Sequence, residues 1–146
     1  MFDKLQQDLK QSILDKDDLK VSTLRLLLSE IYNAQIHKGS ELVEVEIQSI
    51  IQKEVKKRAE SVVAFRNGDR EEMAKKEEKE ADILKTYLPE PLSDMELDAL
   101  IQEAITQTNA SNMADMGKVI GLVMTKAGAR VDGGRVSSLV REKLHG

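Results

Sequence analysis

Both prolines of this 146-residue chain lie in one five-residue stretch, LPEPL, at residues 88–92. Proline lacks a backbone N–H and disfavours helical backbone in the residue before it, so a helix cannot continue through this stretch. On both sides the chain is rich in the strong helix formers Leu, Ala, Glu, Lys and Gln. The sequence therefore predicts a helical domain over residues 1–88, a hinge at 89–92 containing Pro89 and Pro91, and a second domain over 93–146.

Four helices are predicted before the hinge, because apolar residues recur there at helical spacing. The first ends near Asp15. The second extends over about Asp18–Lys38 and ends at the glycine that follows. The third and fourth are long and meet at Asn67-Gly68, a pair suited to a left-handed helix terminus. Asp69 with Glu72 has the spacing of a capping box at the start of the fourth. This pattern predicts a long antiparallel helical hairpin.

Three further helices are predicted after the hinge. Ser93 with Glu96 is a second capping-box pattern, and Asn112 is a candidate cap for the next helix. Gly128 ends that helix, and the last one follows Asp132. Alternation of the kind that marks a β-strand never extends beyond a few residues. The predicted fold is all-α: an N-terminal domain of about four helices, then a small three-helix C-terminal bundle.

The composition indicates the compartment and excludes some chemistry. The chain has no cysteine, which excludes disulfides, cysteine–zinc sites and thiol catalysis. Its first residues, MFDKLQQDLK, place acids and glutamines where a signal peptide would have an apolar run. Apolar stretches are too short to span a bilayer. These features predict a soluble cytoplasmic protein that has no membrane partner.

Candidate catalytic and metal-binding residues are sparse. The two histidines, His37 and His145, have no partner at metal-ligand or triad spacing. The acids in residues 77–80 lack the histidine of a helical di-metal pattern, and neighbouring lysines account for them by local charge pairing. No catalytic residue, metal site or cofactor is therefore predicted.

Six of the eight glycines lie in the last 32 residues, in DMGKVIGLVMTKAGARVDGGRVSSLVREKLHG. A phosphate loop of the G-x-x-x-x-G-K-[ST] type is excluded, because Lys118 is followed by valine and the first glycine is missing. Gly117 and Gly121 are four residues apart, which predicts that they let a neighbouring helix approach closely. Gly128 and Gly133 are predicted to form a tight turn between the last two helices.

Positive charge concentrates in the same tail. Residues 117–146 contain six Lys and Arg against two Asp and Glu, a balance of +4, so the first 116 residues carry −8. Cations beside a helix start can contact phosphate, and the candidate nucleic-acid-binding residues are Lys118, Lys126, Arg130 and Arg135. A solvated surface and a well-capped turn would leave the same pattern, so these alternatives stay open.

Three segments of the chain resemble the YqeY family. They are TLRLLLSEI (23–31), KEVKKRAESVVAFRNGDREEMAKKEEKEADILKTYLPEPL (53–92) and DMGKVIGLVMTKAGARVDGGRVSSLVREKL (115–144). The resemblance covers nearly the whole chain, with the YLP hinge and the later glycine-rich block in the family's order. The C-terminal part is also similar to the tail domain of GatB, a component of the aspartyl/glutamyl-tRNA amidotransferase.

The resemblance implies a link to tRNA-dependent amidation, in which the shared tail serves to engage tRNA. It implies a non-catalytic accessory module whose partners are tRNA and a tRNA synthetase or amidotransferase subunit. Carbon–nitrogen ligase activity with glutamine as amido-nitrogen donor would then belong to the family by association. The alternative is a helical protein-interaction adaptor that binds no nucleic acid, with the long charged hairpin as its docking face.

Overall fold

The computed structural model describes residues 1–145, and these contain seven α-helices and no β-strand. The all-α fold predicted from the sequence is confirmed. The helices are α1 (Phe2–Leu14), α2 (Asp18–Lys38), α3 (Glu44–Asn67), α4 (Glu71–Lys85), α5 (Asp94–Thr108), α6 (Met116–Ala127) and α7 (Gly133–His145). Single 3-10 turns precede and follow α6, at Met113–Asp115 and Gly128–Arg130. Within the described residues, no helix has the length and apolar character needed to cross a membrane.

The chain divides into two compact units. Unit 1 is Met1–Leu88 and contains α1 to α4, and unit 2 is Pro89–Gly146 and contains α5 to α7. Each unit has its own cluster of buried apolar side chains, and the two clusters share no residue. The division falls inside the proline-containing stretch.

The core of unit 1 is built around α2. Residues spaced three and four apart on α2 are buried, because this spacing places them on one face of the helix. The other three helices of the unit contribute to the same cluster. Its buried members are Leu5, Leu24, Leu27, Leu28, Ile31, Ile47, Ile51, Leu84 and Tyr87.

Helices α3 and α4 form the predicted hairpin, but its turn differs from the prediction. Gly68 has a φ of −94°, and the left-handed residue is Asp69, with a φ of +58°. The N-cap of α4 is Arg70, and no side chain caps this helix. The predicted capping box of Asp69 and Glu72 is therefore wrong, because the aspartate is used to reverse the chain, a conformation that its short polar side chain tolerates.

Unit 2 is a three-helix bundle, and its first helix, α5, begins after the predicted cap, Ser93. The Ser93 hydroxyl accepts a hydrogen bond from the Glu96 backbone N–H (3.1 Å), and the Glu96 carboxylate accepts one from the Ser93 N–H (3.0 Å). This confirms the second capping box. The buried core residues of the bundle are Leu97, Ile101, Ala104, Val119, Val123, Ala127, Val131, Val136 and Val140.

Gly128 ends α6 in a conformation that requires glycine. Its φ of +57° and ψ of −131° lie outside the regions open to residues that carry a Cβ. The chain then makes the 3-10 turn and enters α7 after Asp132. The predicted role of Gly128 in the turn between the last two helices is thus explained by its backbone angles.

Tyr87, the last buried residue of unit 1, is held by a hydrogen bond from its hydroxyl to the Asp8 carboxylate (2.5 Å). Burial, and then the neighbouring carboxylate, raise the pKa of the Tyr87 phenol above its ordinary range.

We expect Tyr87→Phe to lower the unfolding free energy of unit 1 by about 1 kcal/mol at pH 7. Because the folded pKa is the higher one, this contribution is present below the unfolded value of about 10 and is lost as the pH rises through the folded value. Urea unfolding at pH 7 and pH 11 should therefore show the gap between wild type and variant narrowing, and a constant gap would contradict the assignment.

Candidate nucleic-acid interface

The four predicted cations all lie in unit 2 and are exposed. Lys118 is in the first turn of α6 and Lys126 in its last turn, Arg130 ends the 3-10 turn, and Arg135 is in the first turn of α7. Their elements are consecutive in the chain, but their surroundings differ. Three of them form hydrogen bonds or ion pairs with other groups of unit 2, and the fourth forms neither within the described residues.

Arg130 connects the turn after α6 to the start of unit 2. Its Nε donates to the Glu90 carbonyl (2.8 Å), and its own carbonyl accepts from the Leu92 N–H (3.0 Å). A more distant contact of 3.9 Å joins its guanidinium to the Glu96 carboxylate. Arg130 therefore has a structural role in holding residues 90–92 against the turn.

Arg135 and Lys126 form ion pairs with α5. Arg135 pairs with Asp94, and Lys126 lies 3.2 Å from Glu103. Lys143 makes a similar pair with Asp98, at 2.8 Å. The acids of α5 thus offset the positive charge of the tail, and residues 89–146 together carry six Lys and Arg against eight Asp and Glu, a net charge of −2.

Lys118 is the exception, because no ion pair or hydrogen bond joins its side chain to the rest of the described chain. It lies between Gly117 and Gly121 on the exposed surface of α6.

A Cβ built at either glycine would meet no atom within 4 Å. The predicted helix-packing role of these two glycines is therefore wrong. The two glycines do lie on one face of α6, as their spacing indicates. The buried face is the opposite one, which contains Val119 and Val123.

Gly133 lies in a different environment. A Cβ there would lie 3.9 Å from the Met124 methyl group, an ordinary contact. It is the first residue of α7, directly after the turn.

The starts of α6 and α7 differ in charge from every earlier helix. Helices α1 to α5 each carry an acid in the first turn, as the helix dipole favours, whereas α6 and α7 carry none. Each instead has glycine at its second position and a cation at its third: Gly117 and Lys118 in α6, Gly134 and Arg135 in α7. An aspartate precedes both, so Asp-x-Gly-cation occurs twice, 17 residues apart. This repeat was not predicted, because it is visible only when the glycines and the charges of the two helix starts are considered together.

This arrangement favours an anion at both helix starts. Backbone N–H groups at a helix start carry partial positive charge, and a cation beside them adds to it. At α6 no side chain caps these groups, because the Asp115 carboxylate accepts from the Ser111 N–H instead (3.1 Å). At α7 the Asp132 carboxylate accepts from the Gly134 N–H (3.3 Å). The α7 start thus has a carboxylate on one of its N–H groups, whereas the α6 start follows a 3-10 turn and has no side-chain cap.

The acids of residues 77–80 are explained by partners other than those predicted. Glu77 and Glu80 pair with Arg58 of α3, and Glu78 pairs with Arg66, so these charges link two helices rather than neighbouring turns of one. Within residues 1–145 no three His, Cys, Asp or Glu side chains are grouped so that they could hold a metal ion. His37 is exposed in the last turn of α2, and the side chain of His145 lies outside the described part.

The chain is similar to fungal proteins named "Altered inheritance of mitochondria protein 41, mitochondrial". It is 35% identical over 111 residues to the one from Lachancea thermotolerans, covering 74% of this chain and 59% of the relative. It is 31% identical over 142 residues to the one from Pyrenophora tritici-repentis, covering 95% and 78%. For Vanderwaltozyma polyspora the identity is 37% over 102 residues, covering 68% and 55%. The chain thus spans less than two thirds of the length of two of these three relatives.

The names of these relatives contradict one prediction. All three are described as mitochondrial, so the cytoplasmic location predicted from the sequence is wrong on this comparison. Composition could not reveal the difference, because a charge-rich helical protein without cysteine suits either aqueous compartment.

The family resemblance is tested by a sequence profile that covers almost the entire chain. The profile of the family described as "Yqey-like protein" matches residues 2–144, which include α1 to α6 and nearly all of α7. The resemblance stated from the hinge and the glycine-rich tail is confirmed, and the chain belongs to the YqeY family.

Proposed function

We propose that this protein is a non-catalytic accessory module that binds the phosphate backbone of tRNA through the starts of α6 and α7. The contact residues are Lys118 and Arg135, with Arg130 and Lys126 as secondary contributors. The similarity of residues 115–144 to the GatB tail supports tRNA as the ligand. A tRNA synthetase or an amidotransferase subunit would then be the protein that acts on the bound tRNA.

The observation that carries the proposal is that the first turn of each of these two helices contains a cation and no acid. A cation in the first turn opposes the helix dipole and destabilises the helix by a few tenths of a kcal/mol or more. An anion bound there would reverse this effect, since it would interact with the partial positive charge of the helix start and with the cation together. Two such starts on successive helices suit a ligand with many phosphates. Exposed glycines beside Lys118 leave the α6 backbone open to close approach.

The ion pairs of unit 2 do not prevent this contact. In the Arg135 pair the two side chains are 50% and 86% exposed, and in the Lys126 pair they are 34% and 55% exposed. Exposed pairs of this kind contribute only about 0 to 1 kcal/mol. A phosphate can therefore replace the carboxylate at small cost, and the acids of α5 set an upper limit on the affinity.

The proposal predicts a steep dependence of tRNA affinity on salt. If three or four phosphates are neutralised, the affinity should fall roughly 20- to 100-fold between 50 and 200 mM salt. Fluorescence anisotropy with labelled tRNA at three salt concentrations measures this directly. Lys118→Ala should weaken binding about fivefold or more without a loss of stability, because this side chain has no hydrogen-bond or ion-pair partner within the described chain.

Two matched variants separate binding from general charge effects. Asp94→Asn should tighten binding up to about fivefold, because it frees Arg135 from its carboxylate. Lys53→Ala with Lys56→Ala removes two exposed cations from α3 and should leave the affinity near the wild-type value. Equal losses from this pair and from Lys118→Ala would show unspecific attraction, and the proposal would fail.

A further inference from the structure

A groove runs between α1 and α2 on the surface of unit 1. Its volume is about 480 Å³, within the range of pockets that hold ligands. Leu9 and Ile13 line it from α1, and Leu28 and Tyr32 from α2. Ile13 and Tyr32 are 48% and 46% exposed, so the groove presents apolar surface to solvent.

The ends of the groove are defined by the antiparallel pairing of the two helices. At one end the Gln6 amide donates to the Tyr32 hydroxyl (3.1 Å), and Phe2 packs edge-on against the Tyr32 ring with centroids 5.5 Å apart. Arg25 lines the groove seven residues before Tyr32, which is two helical turns or about 10 Å. The groove thus has a fixed aromatic end and a cationic end, and its length matches two turns of a helix.

The charge of the groove is opposite to that of the chain. Its lining includes Lys10 and Arg25 and no acid, although the chain carries a net charge of −4. Neither cation has an Asp or Glu three or four residues away on its own helix, and neither forms an ion pair within residues 1–145. Lys4 on the same helix, in contrast, pairs with Asp8 at 3.5 Å. The cations of the groove are therefore available to a partner.

We propose that this groove binds an acidic amphipathic helix of a partner protein. Apolar side chains on one face of that helix, at positions i, i+4 and i+7, would contact the groove between Tyr32 and Ile13. Carboxylates beside them would pair with Lys10 and Arg25. Burial of an aromatic anchor and an arginine is typical of the residues that dominate protein interfaces. This surface is independent of the tRNA contact in unit 2 and lies on α1 and α2, rather than on the charged hairpin that the sequence suggested.

Two designed peptides test the proposal with the full chain. Both are 16-residue helices with leucines at i, i+4 and i+7, flanked in one by glutamates and in the other by lysines. Because the protein is acidic overall, unspecific attraction would favour the lysine peptide. The groove predicts the reverse: in fluorescence anisotropy at 150 mM salt, the glutamate peptide should bind at least tenfold more tightly.

Variants of the groove locate the binding site. Lys10→Glu with Arg25→Glu should weaken the glutamate peptide at least tenfold and strengthen the lysine peptide. Lys53→Glu with Lys56→Glu makes the same charge change on α3 and should leave the preference unchanged. Ile13→Gln should weaken both peptides, and because this side chain is half exposed, circular dichroism should show an intact fold.

Three outcomes would overturn the proposal. The first is equal binding of the two peptides, and the second is a preference that persists in the Lys10→Glu, Arg25→Glu variant. The third is saturable binding of dodecanoate to the groove without peptide binding, which would assign the surface to a lipid carboxylate instead.

Discussion

Replacing Arg58 with methionine is expected to lower the unfolding free energy of unit 1 by about 3 to 5 kcal/mol. Arg58 lies on α3 and pairs with Glu77 at 3.3 Å and with Glu80 of α4. The side chains of Arg58 and Glu80 are only 10% and 8% exposed. Without the arginine, the Glu80 carboxylate would remain buried with no cation to offset its desolvation, which is the costly way to disrupt a buried pair.

A double variant separates the charge effect from lost packing. Arg58→Met with Glu80→Met removes both buried charges, and apolar replacement of a buried pair is often neutral or stabilising. We expect it to recover most of the stability lost in Arg58→Met. The arginine Nε is buried and has no hydrogen-bond partner in the described chain, so the wild-type pair already carries one unsatisfied group. Denaturant unfolding of both variants, with the slope checked for constancy, measures the difference.

The same hairpin contains an exposed counterpart that serves as a control. Arg66 pairs with Glu71 at 3.1 Å and with Glu78 at 2.6 Å, and all three side chains are more than 40% exposed. The Arg66 guanidinium lowers the pKa of the Glu71 carboxyl. Arg66→Met should nevertheless lower the unfolding free energy far less than Arg58→Met does, because water screens such exposed pairs. Equal losses from Arg58→Met and Arg66→Met would contradict the role assigned to burial.

Local sequence signals predicted the helices well because they act within one or two turns. The bounds of α2, Asp18–Lys38, follow from an aspartate cap, one apolar stripe and a glycine at the end, which adopts a φ of +82°. The capping box of Ser93 and Glu96 is equally local. The hairpin turn was mispredicted because Gly68 and Asp69 can both adopt left-handed backbone angles. The sequence alone does not show that Asp69 is the residue that does so.

The candidate site was less predictable because its contacts join distant residues. The Arg130 guanidinium donates to a carbonyl 40 residues earlier, and Arg135 pairs with an acid 41 residues earlier. Helical spacing could not show that the acids of α5 would lie beside the cations of the tail. It also could not show which face of α6 is buried, so the Gly117 and Gly121 pair was misassigned. The Asp-x-Gly-cation repeat, in contrast, is a local pattern at two helix starts, so it could have been predicted from the sequence alone.

Ile101→Ala is expected to destabilise unit 2 by about 2 to 5 kcal/mol while leaving unit 1 folded. Ile101 is fully buried in the core of unit 2, and no residue of that core belongs to the core of unit 1. For a unit of this size the total stability is only about 3 to 9 kcal/mol, so the loss is a large part of it. We therefore expect the two units to unfold separately, as independent domains divided in the proline-containing stretch.

Amide hydrogen exchange, resolved to individual helices, tests this separation. In Ile101→Ala the amides of α5, α6 and α7 should exchange faster, while those of α1 to α4 keep their wild-type rates. Ile31→Ala, a fully buried position of unit 1, should give the reverse pattern. Met95→Ala changes a side chain of α5 that is 83% exposed and should alter neither unit. Faster exchange in both units from a single core variant would contradict the separation. It would show that the chain unfolds as one cooperative body, because a loss of stability in one core would then also destabilise the other unit.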